Sequence, residues 1–348
     1  MSAEDILLER RGRMGLVRLN RPQILNALTL EMTRRLDRAL KDWAADPQVS
    51  LVAIRGVGPR AFCAGGDVRA LYEAGPCSPS TEIFYREEYA LNRRTFRFPK
   101  PYVALIDGVV MGGGVGVSAH GSHRVATERT LFAMPETGIG LFPDVGATWL
   151  LSRCPGQTGL YLGLTGARIP AADLKALGLA EAMVPSAWLD VLEANLAEAR
   201  TSVEIDALLD RYKADPGEET LAAHRAAIDR CFAAPTVEAI LSALEAERTD
   251  WARSTAETLR GKSPTSLKVS LRQLRLGRTL PDFEAAMRLE FRLMQRFMAG
   301  GDFFEGVRAL LIDKDQRPRW LPDRLESVTE AAVDAYFAPL ERELELPD

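Results

Sequence analysis

The sequence predicts an α/β fold in which strands are joined through helices, followed by a long helical region. Before about residue 185, short apolar runs alternate with glycines and with stretches of helical periodicity, a pattern typical of layered α/β folds. Beyond that point the pattern is almost wholly helical. We therefore expect an α/β core over residues 1–185 and a helical region over residues 186–348.

The predicted core opens with a β-hairpin and continues as alternating strands and helices. Thr29 is a suitable N-cap for a helix ending near Ala45. Pro99 and Pro101 end a long helix that follows the loop 75–80. The predicted strands are residues 6–9, 16–20, 51–55, 102–107, 123–126 and 179–184. Further helices are predicted over residues 68–73 and from the glycine cluster at 111–116 to His120.

The helical region shows repeated amphipathic stretches separated by proline and glycine. Its predicted helices are residues 188–199, 204–214, 220–232, 237–259, 264–274, 282–298 and 303–312. Residues 318–322 read as extended chain.

Composition excludes several classes of protein. The 348 residues carry 44 Lys plus Arg and 48 Asp plus Glu, a formal net charge of −4, which disfavours nucleic-acid binding. No apolar run approaches the roughly 18 residues that span a bilayer, and the first residues do not resemble a secretory signal. The four cysteines are scattered without a CxxC pair, which argues against a disulfide framework or a zinc site. We expect a cytoplasmic protein without nucleic-acid, membrane or metal partners.

A glycine cluster lies between a predicted strand and a predicted helix, where residues 111–116 read Met-Gly-Gly-Gly-Val-Gly. One interpretation is tight packing of the helix on the strand. Another is that a free N–H at the helix start binds a negatively charged oxygen. The pattern Gly114-x-Gly116-x-x-Ala119 also fits a loose dinucleotide fingerprint, which would indicate an NAD-dependent dehydrogenase. That fingerprint belongs in a first βαβ unit, and here it lies mid-chain.

A second glycine turn follows the strand at residues 51–55, where residues 62–67 read Phe-Cys-Ala-Gly-Gly-Asp. Gly66 could expose its N–H at a helix start, with Asp67 as the cap. Two such N–H groups from separate turns are what an oxyanion hole requires. The spacing alone does not establish that the two turns meet.

Two carboxylates lie among apolar residues. Glu136 follows Phe-Ala-Met-Pro, and Asp144 follows Phe-Pro eight residues later. Buried acids either pair with a partner or have a raised pKa, and two acids with separated pKa values can act as nucleophile, base or acid. Each could instead cap a helix or accept a core hydrogen bond. Glu88, in Arg-Glu-Glu-Tyr, reads by itself as a charge on a helix surface.

Three motifs occur together: Arg-Ala-Phe-Cys-Ala-Gly-Gly-Asp at 60–67, Gly-x-x-Met-Gly-Gly-Gly at 108–114, and Pro-Glu at 135–136. In combination they resemble the crotonase (enoyl-CoA hydratase/isomerase) superfamily. The chain is most similar to the 3-hydroxyisobutyryl-CoA hydrolase branch. The stretches that carry this similarity are residues 100–108, 124–128, 131–137, 140–146, 302–308 and 311–320. The resemblance covers nearly the whole chain, and it implies a spiral of ββα units capped by C-terminal helices.

The resemblance also implies roles for individual residues. The two oxyanion donors fall on Gly66 and Gly113. Hydratases of the superfamily use two glutamates, and the position of the first is Gly116 here, whereas the second is present as Glu136. Asp144 occupies the position of the additional acid of the hydrolases. Glu88 matches an acid that contacts the substrate, which replaces its interpretation as a surface charge.

The activity implied is hydrolysis of a small 3-hydroxyacyl-CoA thioester, with Glu136 as nucleophile or as the base that activates water. Substrate contacts are then expected from Glu88, Gly113, Glu136 and Asp144. No cofactor is expected, because CoA is part of the substrate, and copies of the chain can be expected to associate. Arg21 and Lys314 are candidate contacts to the CoA phosphates. Two alternatives are an enoyl-CoA hydratase/isomerase, disfavoured by Gly116, and a catalytically silent acyl-CoA-binding protein, disfavoured by the presence of both Glu136 and Asp144.

Overall fold

Ten strands form two sheets in the computed structural model, which describes residues 4–346. In chain order the strands are β1 (Ile6–Arg11), β2 (Met14–Leu19), β3 (Leu51–Gly56), β4 (Ala61–Cys63), β5 (Tyr102–Ile106), β6 (Val109–Met111), β7 (His123–Ala126), β8 (Leu131–Ala133), β9 (Ile169–Pro170) and β10 (Ala182–Met183).

The larger sheet has the order β1-β2-β3-β5-β7-β10. Strands β1 and β2 form the predicted antiparallel hairpin, with Ile6 opposite Leu19, and the other pairs are parallel. The first four residues of β3 and all of β5 are buried, as expected for parallel strands covered on both faces. The predicted α/β arrangement with crossover connections is confirmed.

The smaller sheet, of order β4-β6-β8-β9, was not predicted. Its strands are only two or three residues long, which is too short for a period-2 pattern to appear in the sequence. Strand β6 ends at Met111, directly before the glycine cluster. This sheet therefore sets the start of the turn that carries Gly113.

The described residues contain sixteen α-helices. They are α1 (Leu30–Ala45), α2 (Val68–Ala74), α3 (Pro79–Phe96), α4 (Gly113–Gly116), α5 (Ala147–Leu151), α6 (Thr158–Thr165), α7 (Ala171–Ala176), α8 (Leu189–Leu196), α9 (Ser202–Tyr212), α10 (Arg225–Phe232), α11 (Val237–Glu247), α12 (Asp250–Arg260), α13 (Pro264–Gly277), α14 (Phe283–Ala299), α15 (Asp302–Val307) and α16 (Glu330–Phe337).

Two helix predictions differ from the structure. The single helix predicted over residues 237–259 is two helices, because Arg248 adopts a left-handed φ of 54° and Thr249 caps the second helix by accepting from Ala252 N–H. The helix predicted to reach His120 ends as α4 at Gly116. Among the described residues no helix is long and apolar enough to cross a membrane.

The chain divides into two compact units, each assembled from three separate segments. Unit 1 comprises residues 1–67, 90–132 and 169–220, and unit 2 comprises residues 68–89, 133–168 and 221–348. In unit 1 a continuous apolar core joins strands of the large sheet, such as Leu51 and Val103, to Leu192 of α8 and Ile205 of α9. The change at residue 185 therefore marks where strands cease along the described chain, and the division into domains at that residue stays a prediction.

Unit 2 is mainly helical. The longest helix that lies wholly within unit 2 is α14, which buries a stripe including Met287, Phe291 and Met294. Helix α6 is buried along its whole length. The predicted C-terminal helical region is confirmed. Side chains of its helices α13 and α14 contact the segment around Asp144.

Candidate active site

In unit 1 the structure brings together the two glycine turns that the sequence left apart. A Cβ built on Gly65 would lie 3.5 Å from the carbonyl oxygen of Met111 and 3.8 Å from the Gly113 nitrogen. A Cβ on Gly114 would lie 2.2 Å from the carbonyl oxygen of Cys63. The turns after β4 and β6 are thus in backbone contact, and glycine is required because any side chain at 114 would force them apart.

The N–H groups of Gly66 and Gly113 are both available in these turns. Gly113 is the first residue of α4 and follows Gly112, whose φ is 48°, so its N–H has no acceptor within the helix. Gly66 forms an isolated parallel β-bridge with Leu28. The two hydrogen bonds of that bridge are made by the Gly65 carbonyl and the Asp67 N–H, so they do not use the Gly66 N–H. Over residues 4–346 neither N–H donates a hydrogen bond. Two free donors on neighbouring turns can hold one oxyanion.

The two basic residues suggested for phosphate contacts have different surroundings. The Arg21 guanidinium donates to Asp67 at 3.0 Å and to the Ala27 carbonyl at 2.7 Å. These bonds fasten the segment before α1 to the residue after Gly66, which is a structural role. Lys314 is exposed in a left-handed conformation.

In unit 2 three sequence-predicted acids are buried together. Glu88 on α3 is 2 % exposed, Glu136 is 6 % exposed, and Asp144 is 5 % exposed. Glu136 begins a 3₁₀ turn directly after β8, and the neighbouring Thr137 donates to the Leu164 carbonyl, which fixes that turn. The charge of Asp144 raises the pKa of both glutamates, so each of them lies near Asp144.

Asp144 is the best-partnered of these acids. Its Oδ2 accepts a hydrogen bond of 2.8 Å from the Tyr89 hydroxyl. Burial raises the pKa of Asp144 to about 7, although the Tyr89 hydrogen bond favours the charged form. A carboxyl with a pKa near neutrality can both give and accept a proton at physiological pH.

Glu136 and Glu88 carry oxygen atoms without a partner. Glu136 Oε2 and Glu88 Oε1 are buried, and no hydrogen bond reaches either atom within the described part of the chain. Burial, and after it the charge of Asp144, raises the pKa of both glutamates well above the usual range. Such unsatisfied polar atoms are costly in a core and are typical of sites that act on a ligand.

Sequence reasoning missed several side chains in this cluster. Lys262 lies over Gly138, where an added Cβ would be 3.1 Å from its Nζ, and its charge favours the ionised form of Glu136. Burial lowers the pKa of Lys262 itself. Burial, together with the charges of three nearby acids, raises the pKa of Tyr85, which therefore stays a neutral hydroxyl. Neither residue belongs to a motif that predicts such a position.

Glu290 was missed as well, but the sequence contains a signal for it. It lies in the apolar stripe of α14, between Met287 and Phe291, where a charge would not be expected unless it has a buried partner. Its side chain is fully buried. An acid at a core position of an amphipathic helix would have indicated this residue.

The two units carry different chemical groups. Unit 1 offers backbone donors suited to an oxygen that gains negative charge, and unit 2 offers buried carboxyls suited to attack or proton transfer. Both are requirements of acyl transfer from a thioester.

Residues 14–337 match the family described as enoyl-CoA hydratase/isomerase. A zebrafish (Danio rerio) protein named mitochondrial 3-hydroxyisobutyryl-CoA hydrolase is 46 % identical over 99 % of this chain and 92 % of its own length. The human (Homo sapiens) protein of that name is 44 % identical over 97 % of this chain and 90 % of its own length.

Solved structures with other names are also similar. One is described as a carnitinyl-CoA dehydratase from Mycobacterium thermoresistibile, with a TM-score of 0.94 and 40 % identity over 99 % of each chain. Another is described as an enoyl-CoA hydratase from Rhodobacter sphaeroides, with a TM-score of 0.89 and 41 % identity over 97 % of this chain and 98 % of that one. The predicted crotonase-like fold is confirmed. The chain belongs to the enoyl-CoA hydratase/isomerase (crotonase) family.

Proposed function

We propose that this protein is a thioester hydrolase that cleaves 3-hydroxyisobutyryl-CoA, or a similar small 3-hydroxyacyl-CoA, to the free acid and CoA. The observation that carries the proposal is Glu136, a buried carboxyl with an unpartnered oxygen beside Asp144. The names of the vertebrate relatives support the same substrate.

In the proposed reaction a Glu136 oxygen attacks the carbonyl carbon of the thioester. The oxygen of the tetrahedral intermediate takes the negative charge, and the N–H groups of Gly66 and Gly113 stabilise it. Collapse of the intermediate breaks the C–S bond and releases the CoA thiolate, which takes a proton. A mixed anhydride between the acyl group and Glu136 remains.

Water then completes the reaction. Attack of water on the anhydride releases the 3-hydroxy acid and restores the Glu136 carboxylate. Asp144, whose burial places its pKa at about 7, is suited to protonate the thiolate and to accept the proton of water. Glu88, with its unpartnered Oε1, would accept a hydrogen bond from the substrate hydroxyl.

In the alternative route Glu136 acts as a base and activates water directly. Hydroxylamine distinguishes the routes, because it traps a mixed anhydride as a hydroxamate on Glu136. No acyl-enzyme forms when water attacks the thioester itself, so that route leaves Glu136 unmodified.

Enoyl-CoA hydration is the competing function, and the name of the solved Rhodobacter sphaeroides structure favours it. Addition of water across a double bond uses paired carboxylates around one water in the hydratases that this chain resembles. Position 116, which corresponds to the first of that pair, is a buried glycine in α4. This absence of a side chain at 116 is the specific reason to favour hydrolysis.

Two substrates decide between these functions. With 3-hydroxyisobutyryl-CoA we expect release of free thiol, and with crotonyl-CoA we expect no loss of the enoyl absorbance. Absence of thiol release together with loss of the enoyl absorbance would overturn the proposal and establish a hydratase.

The proposed setting is breakdown of valine and other branched-chain amino acids. The reaction needs no metal and no redox cofactor. The four cysteines are scattered along the sequence without a CxxC pair, which agrees with a reducing compartment, and we propose the cytoplasm. The vertebrate relatives are named as mitochondrial, so fractionation of cells is the relevant test. Association of copies, also part of the proposal, is tested by light scattering.

A further inference from the structure

The turn that carries Asp144 has an unfavourable backbone. Val145 has a φ of 53° and Gly146 a φ of 90°. Two successive left-handed residues reverse the chain directly after Asp144. For a β-branched residue such as Val145 this conformation is rare and strained. It persists only when surrounding groups fix it.

Glu290 of α14 fixes this turn from its C-terminal side. Its Oε2 accepts from the Gly146 N–H at 2.7 Å, and its Oε1 accepts from the Thr148 N–H at 2.8 Å. Both N–H groups belong to the start of α5, where no acceptor within the helix exists. One fully buried carboxyl thus binds both ends of a three-residue segment that begins two residues after Asp144.

Gln273 of α13 fixes the same turn from its N-terminal side. Its Nε2 donates to the Pro143 carbonyl at 2.6 Å and to the Thr148 hydroxyl at 2.7 Å. Gln273 is fully buried. The residue before Asp144 and two residues shortly after it, Gly146 and Thr148, are therefore held by side chains from two helices of unit 2, more than 120 positions away in the sequence.

We propose that Glu290 and Gln273 are positioning residues that hold Asp144 in its reactive orientation toward Tyr89 and the other acids. The inference rests on the proposed function, since it assigns Asp144 a part in catalysis. It gives helices α13 and α14 an indirect role in the reaction, which they exert through Asp144. Neither residue touches the reacting atoms in this account.

Glu290 differs from Gln273 in carrying charge. Burial and the charge of Asp144 raise the pKa of Glu290 to about 8, while the two N–H groups favour its ionised form. Asp144 and Glu290 thus form a pair of buried acids whose pKa values are both raised to near neutrality. The other titratable groups that face the pair are Tyr89, which bonds to Asp144, together with Glu88, Glu136 and Tyr85.

Two substitutions separate orientation from charge. Glu290→Gln keeps the shape but replaces one acceptor by an NH₂ group and removes the ionisation near pH 8. Gln273→Met keeps the volume and removes both donated hydrogen bonds without changing charge. With 3-hydroxyisobutyryl-CoA we expect each variant to lose about 10²-fold in kcat with little change in KM, because misplacement of a catalytic group by about 1 Å has that effect.

The pH profile is the readout that a purely structural role would not move. For Glu290→Gln the limb of the pH profile of kcat that Asp144 and Glu290 govern should move to lower pH. The reason is that the ionisation of Glu290 near pH 8 is gone, whereas that of Asp144 near pH 7 remains. For Gln273→Met the limb should stay in place. Asp173→Asn is the matched control in unit 1, because Asp173 is a buried carboxylate that accepts from the Thr220 N–H and hydroxyl. It should lower Tm without changing kcat or the pH limb.

Hydrogen exchange tests, independently of activity, whether Glu290 and Gln273 hold the turn after Asp144. In both site variants the amides of Gly146 and Thr148 should exchange faster than in the wild type. Faster amide exchange together with wild-type kcat and a wild-type pH profile would overturn the positioning role. Unchanged amide exchange would show that Glu290 and Gln273 do not hold the turn. If the wild-type protein releases no thiol from the substrate, the proposed function fails, and the exchange data still decide whether Glu290 and Gln273 hold the turn.

Discussion

The two units of this protein bury acids in opposite ways. In unit 1, Glu193 is 2 % exposed and lies within 2.6 Å of Arg11 and Arg18 and 3.1 Å of Arg55. In unit 2, Glu136 is 6 % exposed, yet one of its oxygens has no partner and its nearest charged neighbours include two further acids. Similar burial is combined with three ion-paired arginines in one case, and in the other with two like charges and the single cation Lys262.

The difference separates an acid that maintains structure from acids that are available for chemistry. A buried charge is tolerated when cations and hydrogen bonds compensate the loss of water. Acids that lack such compensation keep raised pKa values and cost stability, and clusters of this kind are typical of catalytic sites. Unit 1 thus contributes backbone N–H groups to the proposed reaction, whereas unit 2 contributes side chains.

A substitution at Gly114 tests the proposed contribution of unit 1 to catalysis, which is its pair of backbone N–H donors. A methyl group there would lie 2.2 Å from the Cys63 carbonyl oxygen, so Gly114→Ala must separate the turns that carry Gly66 and Gly113. We expect a loss of about 10²-fold in kcat, the effect of losing one oxyanion donor, measured as thiol release.

The matched control for that change is Gly301→Ala. An added methyl at Gly301 meets nothing within 4 Å, so kcat should stay within about 2-fold of the wild type. Full activity of Gly114→Ala would show that the two turns do not act together on the substrate.

The structural role of Glu193 gives a smaller effect of a different kind. Glu193→Gln leaves three arginines without their buried carboxylate, and we expect the free energy of unfolding to fall by about 2 kcal/mol. That figure lies below the loss typical of a fully buried pair, because the arginine side chains are 20–47 % exposed. Urea unfolding measures it, and kcat of the folded variant should be unchanged. A large loss of kcat without loss of stability would remove the distinction between the two kinds of acid.

The fold was predictable where single segments carry the information. Strands such as β3 and β5 read as continuous apolar runs, and Thr29 caps α1 as expected, by accepting from Met32 N–H. The smaller sheet was not predictable, because its two- and three-residue strands are defined by pairing with distant partners. The break at Arg248 was missed because a left-handed residue other than glycine leaves no reliable mark in sequence.

The residues of the candidate site, like the elements of the fold, were predictable only where a local motif contains them. Gly113, Glu136 and Asp144 occur in apolar or glycine-rich motifs, so their residue types already suggested a special role. Tyr89 and Gln273 reach the cluster from helices α3 and α13, and Lys262 reaches it from the loop between α12 and α13. Their positions depend on tertiary packing, which no local pattern encodes.

Thiol release from 3-hydroxyisobutyryl-CoA by Glu136→Gln, measured beside Glu193→Gln at equal folded fraction, tests the central claim most directly. The change keeps the shape of Glu136 and removes its charge, so binding of the CoA ester should persist. We expect Glu136→Gln to lose about 10³-fold or more in kcat, while Glu193→Gln keeps wild-type turnover. Wild-type turnover by Glu136→Gln would contradict the assignment of the reaction to the buried acids of unit 2.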